Sequence, residues 1–121
     1  MMAKILLVDD EFDALSAYSL LLEFAGHEVS QAIDGDAALA ALLTAPPPDI
    51  VVTDWMMPRM TGLELCERMR AERKLDGIKI VLASAAATPP DGQGKAFDVF
   101  VRKPIDLTEL LGIVDRLCGP R

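Results

Sequence analysis

A chain of 121 residues, half hydrophobic and a quarter charged, has the size and composition of one globular domain with an ordinary core, neither disordered nor in need of staples. Nineteen acids against twelve bases leave a net charge of −7, which speaks against a generic nucleic-acid or anionic-membrane surface. Cys66 and Cys118, the only cysteines, form neither a disulfide framework nor a metal quartet and read as reduced packing residues.

The opening "MMAKILLVDD" supplies a first strand, "KILLV" at 4–8, with Asp9 and Asp10 directly after it. That apolar run is too short for a signal-peptide core or a membrane span, so a cytoplasmic protein is expected. A helix is predicted from Phe12 to Ala25, with Leu15, Tyr18, Leu22 and Ala25 on one face and Gly26 as its cap. His27, the only histidine, falls in the turn that follows and reads as a surface residue, which leaves no basis for histidine catalysis. "EVSQA" at 28–32 is a weaker strand suited to a sheet edge, and "DAALAALL" at 36–43 is a short helix stopped by Pro46, Pro47 and Pro48.

"DIVVT" at 49–53 is a second strongly apolar strand, and it runs straight into "DWMMPRMTG". Met56, Met57 and Met60 read as packing residues, Trp55 fits either a pocket mouth or the surface, and Gly62 supplies permissive backbone before the next helix. That helix runs from Leu63 to Arg73 with Leu65, Cys66 and Met69 as its apolar stripe. "IKIVLA" at 78–83 is a third apolar strand and "DVFV" at 98–101 a second edge candidate. Between them, Pro89, Pro90, Gly92 and Gly94 interrupt the stretch from Ser84 to Phe97, so a helix there is expected to be short or missing. In the last helix Leu107, Leu110, Leu111, Val114, Leu117 and Cys118 recur at helical spacing, with Asp106 and Glu109 as a capping box.

Strands that are apolar without alternation, separated by helices, predict an α/β fold with a parallel sheet covered on both faces, as one domain over 1–121. In such a sheet the carboxyl ends of the strands form the binding rim, and Asp9, Asp10, Asp54, Ser84 and Lys103 all fall there. A carboxylate at the end of a buried strand is costly unless paired, protonated or bound to metal. Three carboxylates on one rim repel unless a cation sits among them, and an oxygen-only set with room for water suits Mg²⁺. A hydroxyl and an ammonium opposite them suit a phosphoryl group, which an aspartate can accept as an acyl phosphate.

"LLVDDE" at 6–11, "DWMMPRMTG" at 54–62, "VLASA" at 81–85 and "FVRKP" at 100–104 together resemble the four signatures of the receiver domain of bacterial response regulators, over nearly the whole chain. The resemblance implies a flavodoxin-like, doubly wound, five-stranded sheet of order 2-1-3-4-5. It implies Asp54 as the phosphoacceptor, Asp9 and Asp10 as an acidic Mg²⁺ pair, and the Met56 main-chain carbonyl as a further metal ligand. It makes Ser84 the hydroxyl that moves toward the phosphate, Lys103 its counter-ion, Phe100 the aromatic switch and Lys103–Pro104 a cis peptide. The implied partners are a histidine kinase or phosphotransfer protein upstream and a protein target or fused output domain downstream; a homodimer is also allowed.

Such a module is not an enzyme on an external substrate, although it assists its own phosphorylation and dephosphorylation. Two other readings compete: a receiver-like interaction module that works without phosphorylation, and a small aspartyl-phosphate phosphotransferase. The latter wants a second acid two residues after the nucleophile, where this chain has Met56.

Overall fold

The computed structural model describes residues 2–86 and 96–118. Five parallel strands form one sheet in the order β2-β1-β3-β4-β5: β1 Lys4–Val8, β2 Glu28–Ala32, β3 Ile50–Asp54, β4 Lys79–Ser84 and β5 Val99–Arg102. The helices are α1 Phe12–Phe24, α2 Gly35–Thr44, α3 Gly62–Arg70 and α4 Leu107–Cys118, with a short 3-10 turn at Arg73–Leu75.

The unbroken apolar runs have a direct cause, since successive residues of a strand point to opposite faces. Leu6, Val8, Val51, Ile80 and Leu82 join one core with Ala38 and Leu42 of α2 and Leu65, Cys66 and Met69 of α3. Ile5, Leu7, Ile50, Val52, Val81 and Ala83 join a second core with Leu15 and Leu22 of α1 and Leu110, Ile113 and Val114 of α4. The sheet is the partition between two cores, so the central strands are apolar on both faces, with Thr53 and Ser84 near their carboxyl ends as the buried polar exceptions. The two strands with weaker apolar character, β2 and β5, are the edges.

Local chemistry sets the helix ends. Asp34 caps α2 by accepting the Ala37 N–H at 2.7 Å, and Gly26 follows α1 at φ 101°, a left-handed conformation that suits glycine. Thr61 and Glu64 form a reciprocal capping box at the start of α3, visible in the sequence as T-x-x-E yet not anticipated. Helix α3 stops at Arg70, three residues earlier than expected, and the 3-10 turn takes over. Asp106 accepts the Glu109 N–H at 3.2 Å at the start of α4.

Two expectations fail. His27 is buried, because its Nδ1 accepts the Ala3 N–H at 3.0 Å and so satisfies the backbone where β1 begins. Met57 and Met60 pack in the core, but Met56 is 65 % exposed at the mouth of the rim. The expected short or missing helix after β4 falls largely on residues 87–95, outside the described residues. Cys66 and Cys118 are both buried, and burial pushes the Cys66 thiol up to about 12, which keeps it protonated and inert.

Candidate functional site

Strand register brings the rim residues together. Asp54 is the last residue of β3, level with Ala83 of β4, and Ser84 is level with Arg102 of β5. The backbone continues this knitting beyond the strands: the Lys103 N–H donates to the Ser84 carbonyl at 2.7 Å and the Trp55 N–H to the Ala83 carbonyl at 2.8 Å. The Asp9 N–H donates to the Ala32 carbonyl at 3.2 Å, which continues the line of β1, and because Val8 is level with Thr53 of β3, Asp9 emerges beside Asp54.

Asp9, Asp10 and Asp54 each place a carboxylate oxygen within 4.8 Å of the other two. Asp9 is buried, Asp54 half-buried and Asp10 exposed, so the cluster opens to water on the Asp10 side. Asp9 uses both oxygens: Oδ1 accepts the Glu11 N–H at 3.0 Å and Oδ2 accepts Lys103 Nζ at 2.8 Å. The same ammonium lies 3.5 Å from Asp54 Oδ1. Lys103 bridges two of the three carboxylates but cancels only one charge, so with all three ionised two net negative charges are left to be met from outside. The donor set is oxygen only, partly solvated and incomplete, which fits a hard divalent cation that keeps some of its water.

Burial raises the pKa of Asp54, helped by the negative charges of Asp9 and Asp10 and opposed by Lys103. Lys103 is itself half-buried, and burial alone would lower its pKa. Its hydrogen bond to Asp9 and the charges of Asp54 and Asp9 outweigh that and raise it. The ammonium is thus held charged by the cluster it serves.

Ser84 is buried at the end of β4, and its Oγ accepts the Ala86 N–H at 3.0 Å. Phe100 is half-buried among Trp55 and Phe97, edge-on to Trp55 at a ring separation of 6.4 Å and an interplanar angle of 81°. This places Trp55, left open by the sequence, between the rim and the aromatic cluster. The Lys103–Pro104 peptide is cis. An open cleft is lined by Asp10, Asp54, Met56, Ser84, Lys103 and Pro104, so every site residue anticipated from the sequence except Asp9 and Phe100 faces one space; Asp9 lies behind it, bound to Lys103.

Sequence reasoning missed what holds the Asp54 loop. Gly62 is needed for space: a Cβ there would collide with the Asp54 carbonyl oxygen and approach the Asp54 carbonyl carbon to 2.8 Å. With no Cβ in the way, the Gly62 N–H reaches the Trp55 carbonyl at 2.7 Å. Arg59, at φ 66°, takes the left-handed conformation, and its guanidinium meets Asp34 at 2.8 Å, tying the loop to the α2 cap.

A family profile described as the response regulator receiver domain matches residues 5–115. The chain belongs to this family. The DNA-binding dual master transcriptional regulator RpaA of Synechocystis sp. is 32 % identical over 119 residues, covering 96 % of this chain and 49 % of RpaA. The phosphate regulon transcriptional regulatory protein PhoB of Rhizobium meliloti is 34 % identical over 118 residues, covering 94 % of this chain and 51 % of PhoB. The chain thus spans about half the length of these curated relatives. Among solved structures, chemotaxis protein CheY4 of Vibrio cholerae superposes with a TM-score of 0.88 at 32 % identity, over 97 % of this chain and 99 % of that one. Response regulator TrrA of Thermotoga maritima, in complex with Mg²⁺ and beryllofluoride, gives 0.85 at 31 % identity over 94 % and 97 %.

The receiver domain is a phosphoacceptor switch of two-component signalling, and its doubly wound sheet of order 2-1-3-4-5 is the one seen here. Neither the phosphorylation-independent module nor the phosphotransferase draws support from these relatives.

Proposed function

We propose that Asp54 accepts a phosphoryl group from a histidine kinase or phosphotransfer protein, and that the acyl phosphate shifts the domain between two conformations. The observation that carries this reading is the joint approach of Asp9, Asp10 and Asp54 to within 4.8 Å, with Lys103 bridging two of them. In the transfer, an Asp54 carboxylate oxygen bonds to phosphorus while the bond from phosphorus to the donor imidazole nitrogen breaks, the electron pair leaving with nitrogen. Asp54 must be ionised for this, and Lys103 favours the anion against the burial that opposes it.

The side chains of Asp9, Asp10 and Asp54 and the Met56 main-chain carbonyl would hold Mg²⁺. When bound, Mg²⁺ offsets the charge that builds on the transferred group's oxygens. Lys103 pairs with the phosphoryl group afterwards. Ser84 gives up its bond to Ala86 and donates its hydroxyl proton to a phosphoryl oxygen, and Phe100 turns toward the space vacated beside β4. The domain therefore assists its own phosphorylation and dephosphorylation and acts on no external substrate.

Protein partners fit the surface of α1 better than nucleic acid does. Phe12, Leu20 and Phe24 are exposed on it, at four- and eight-residue spacing, and the helix carries Asp13 and Glu23 but no base. The absence of nucleic-acid contact is proposed for this domain's own surface only; RpaA, about twice as long, is a DNA-binding regulator. Among the described residues no helix is long and apolar enough to cross a membrane.

Intact mass after incubation with acetyl phosphate tests the reading. The expected result is one added phosphoryl group that requires Mg²⁺ and is absent from Asp54→Asn; an equal gain in Asp54→Asn would overturn it.

A further inference from the structure

Tyr18, the only tyrosine, sits on α1 with its ring packed against the core shared by α1 and α4. Its hydroxyl grips both backbone groups of a single distant residue. It accepts the Ile105 N–H at 3.0 Å and donates to the Ile105 carbonyl at 3.4 Å. The 3.0 Å bond is the firm one, and the longer, weaker contact to the carbonyl acts on the neighbouring peptide unit of the same residue, so the backbone on both sides of the Ile105 Cα faces one hydroxyl.

Ile105 closes the turn that starts at Lys103. The turn's other anchor is the Lys103 N–H on the Ser84 carbonyl at 2.7 Å, so it is held by β4 at one end and by α1 at the other. Packing alone does not immobilise the lysine. A cavity of about 20 Å³ lies among Lys103, Asp9, Asp54, Tyr18 and Leu110, room for about one water. A flexible four-carbon stem beside empty space is aimed by its backbone and by its charged partners, not by walls.

We propose that the Tyr18 hydroxyl is a positioning group of the phosphoacceptor site: by tying Ile105 to α1 it sets where the Lys103 ammonium meets Asp54 and the phosphoryl group. The inference rests on the reading of Asp54 as phosphoacceptor and extends it to a residue that touches neither phosphate nor metal. Because α1 starts just after Asp9 and Asp10, one helix then registers the acid pair and the lysine against each other.

Tyr18→Phe keeps the ring in the core and removes only the hydroxyl, and three readouts on the full chain separate positioning from packing. Mg²⁺ affinity is expected to stay unchanged, since the acid pair does not hang on this turn. Affinity of the Mg²⁺-loaded protein for beryllofluoride, followed by Trp55 fluorescence, is expected to fall about three- to tenfold, the worth of one or two misplaced hydrogen bonds. The Lys103 Cε methylene protons are expected to be inequivalent by NMR in wild type and to average in the variant, and the Ile105 amide to exchange faster. Wild-type beryllofluoride affinity together with wild-type Lys103 signals would overturn the proposal, even if the variant melted at a lower temperature. Should the wild-type protein itself bind no beryllofluoride, the phosphoacceptor reading fails, while the Lys103 signals still decide whether Tyr18 positions the lysine.

Discussion

Two cations bracket β5, and they are held in opposite ways. Before the strand, the Arg70 guanidinium donates to the carbonyls of Ala96, Asp76 and Ile78 at 3.0–3.2 Å and to Asp98 at 3.1 Å, and Asp98 also accepts the Ile80 N–H at 2.7 Å. After the strand, Lys103 has side-chain partners that are carboxylates, Asp9 and Asp54. Arg70 satisfies three main-chain carbonyls as well as Asp98, so it is a fastening between α3, the approach to β4 and the entry to β5. Lys103 sits in a cluster of three carboxylates against one ammonium, so its bonds to Asp9 and Asp54 can be exchanged for a cation on the oxygens and an anion on the ammonium. A cation bonded to main-chain carbonyls holds a fold together; one bonded to surplus carboxylates is exchangeable, and exchange is what a switch requires.

Removing Arg70 should produce the largest stability loss and the smallest functional one. Arg70→Met is expected to lower unfolding stability by about 2–3 kcal/mol in urea, because four charge-assisted bonds go and three carbonyls lose a donor. Its Mg²⁺ affinity at low temperature should match wild type. If phosphorylation fell while stability held, the division between fastening and switch would be wrong.

Asp54→Asn should do the reverse. The raised pKa of Asp54 means that folding disfavours its carboxylate relative to the unfolded chain, chiefly by burial, so a neutral isostere is expected to raise Tm. Between its ordinary value near 3.8 and the raised value, the folded protein binds a proton that the unfolded chain has lost. Stability therefore falls as pH rises through that window, and Asp54→Asn should abolish this fall. Lys103 shifts stability in the same direction at higher pH: its contribution is full below about 10.5 and is lost as pH climbs through its raised value. Mg²⁺ should stabilise wild type and leave Asp54→Asn nearly unmoved.

The contrast also explains what could be read from the sequence. The strands and the acid cluster were legible because they depend on residue type in order along the chain: apolar runs must fill two cores, and acids after strands must share a rim. Four motifs then located Asp54, Ser84 and Lys103. What escaped was fixed by contacts between distant segments. Nothing local marks His27 as the acceptor for Ala3, Arg70 as the fastening for Ala96 and Asp98, or Tyr18 as the tether for Ile105. Gly62 was noticed for its conformational freedom, whereas its role is to leave room for the Asp54 carbonyl, a reason that exists only once the loop has folded back. Met56 looked like a core methionine because apolar type predicts burial in bulk, yet two residues past the end of β3 the chain has reached the rim and the side chain faces solvent.

Borohydride reduction of the phosphorylated protein, followed by peptide sequencing, tests the central claim most directly, because reduction of an aspartyl phosphate leaves homoserine at the acylated position. The account predicts homoserine at position 54 and unchanged aspartate at positions 9 and 10. Homoserine at 9 or 10, or a stable phosphate that borohydride leaves untouched, would contradict it.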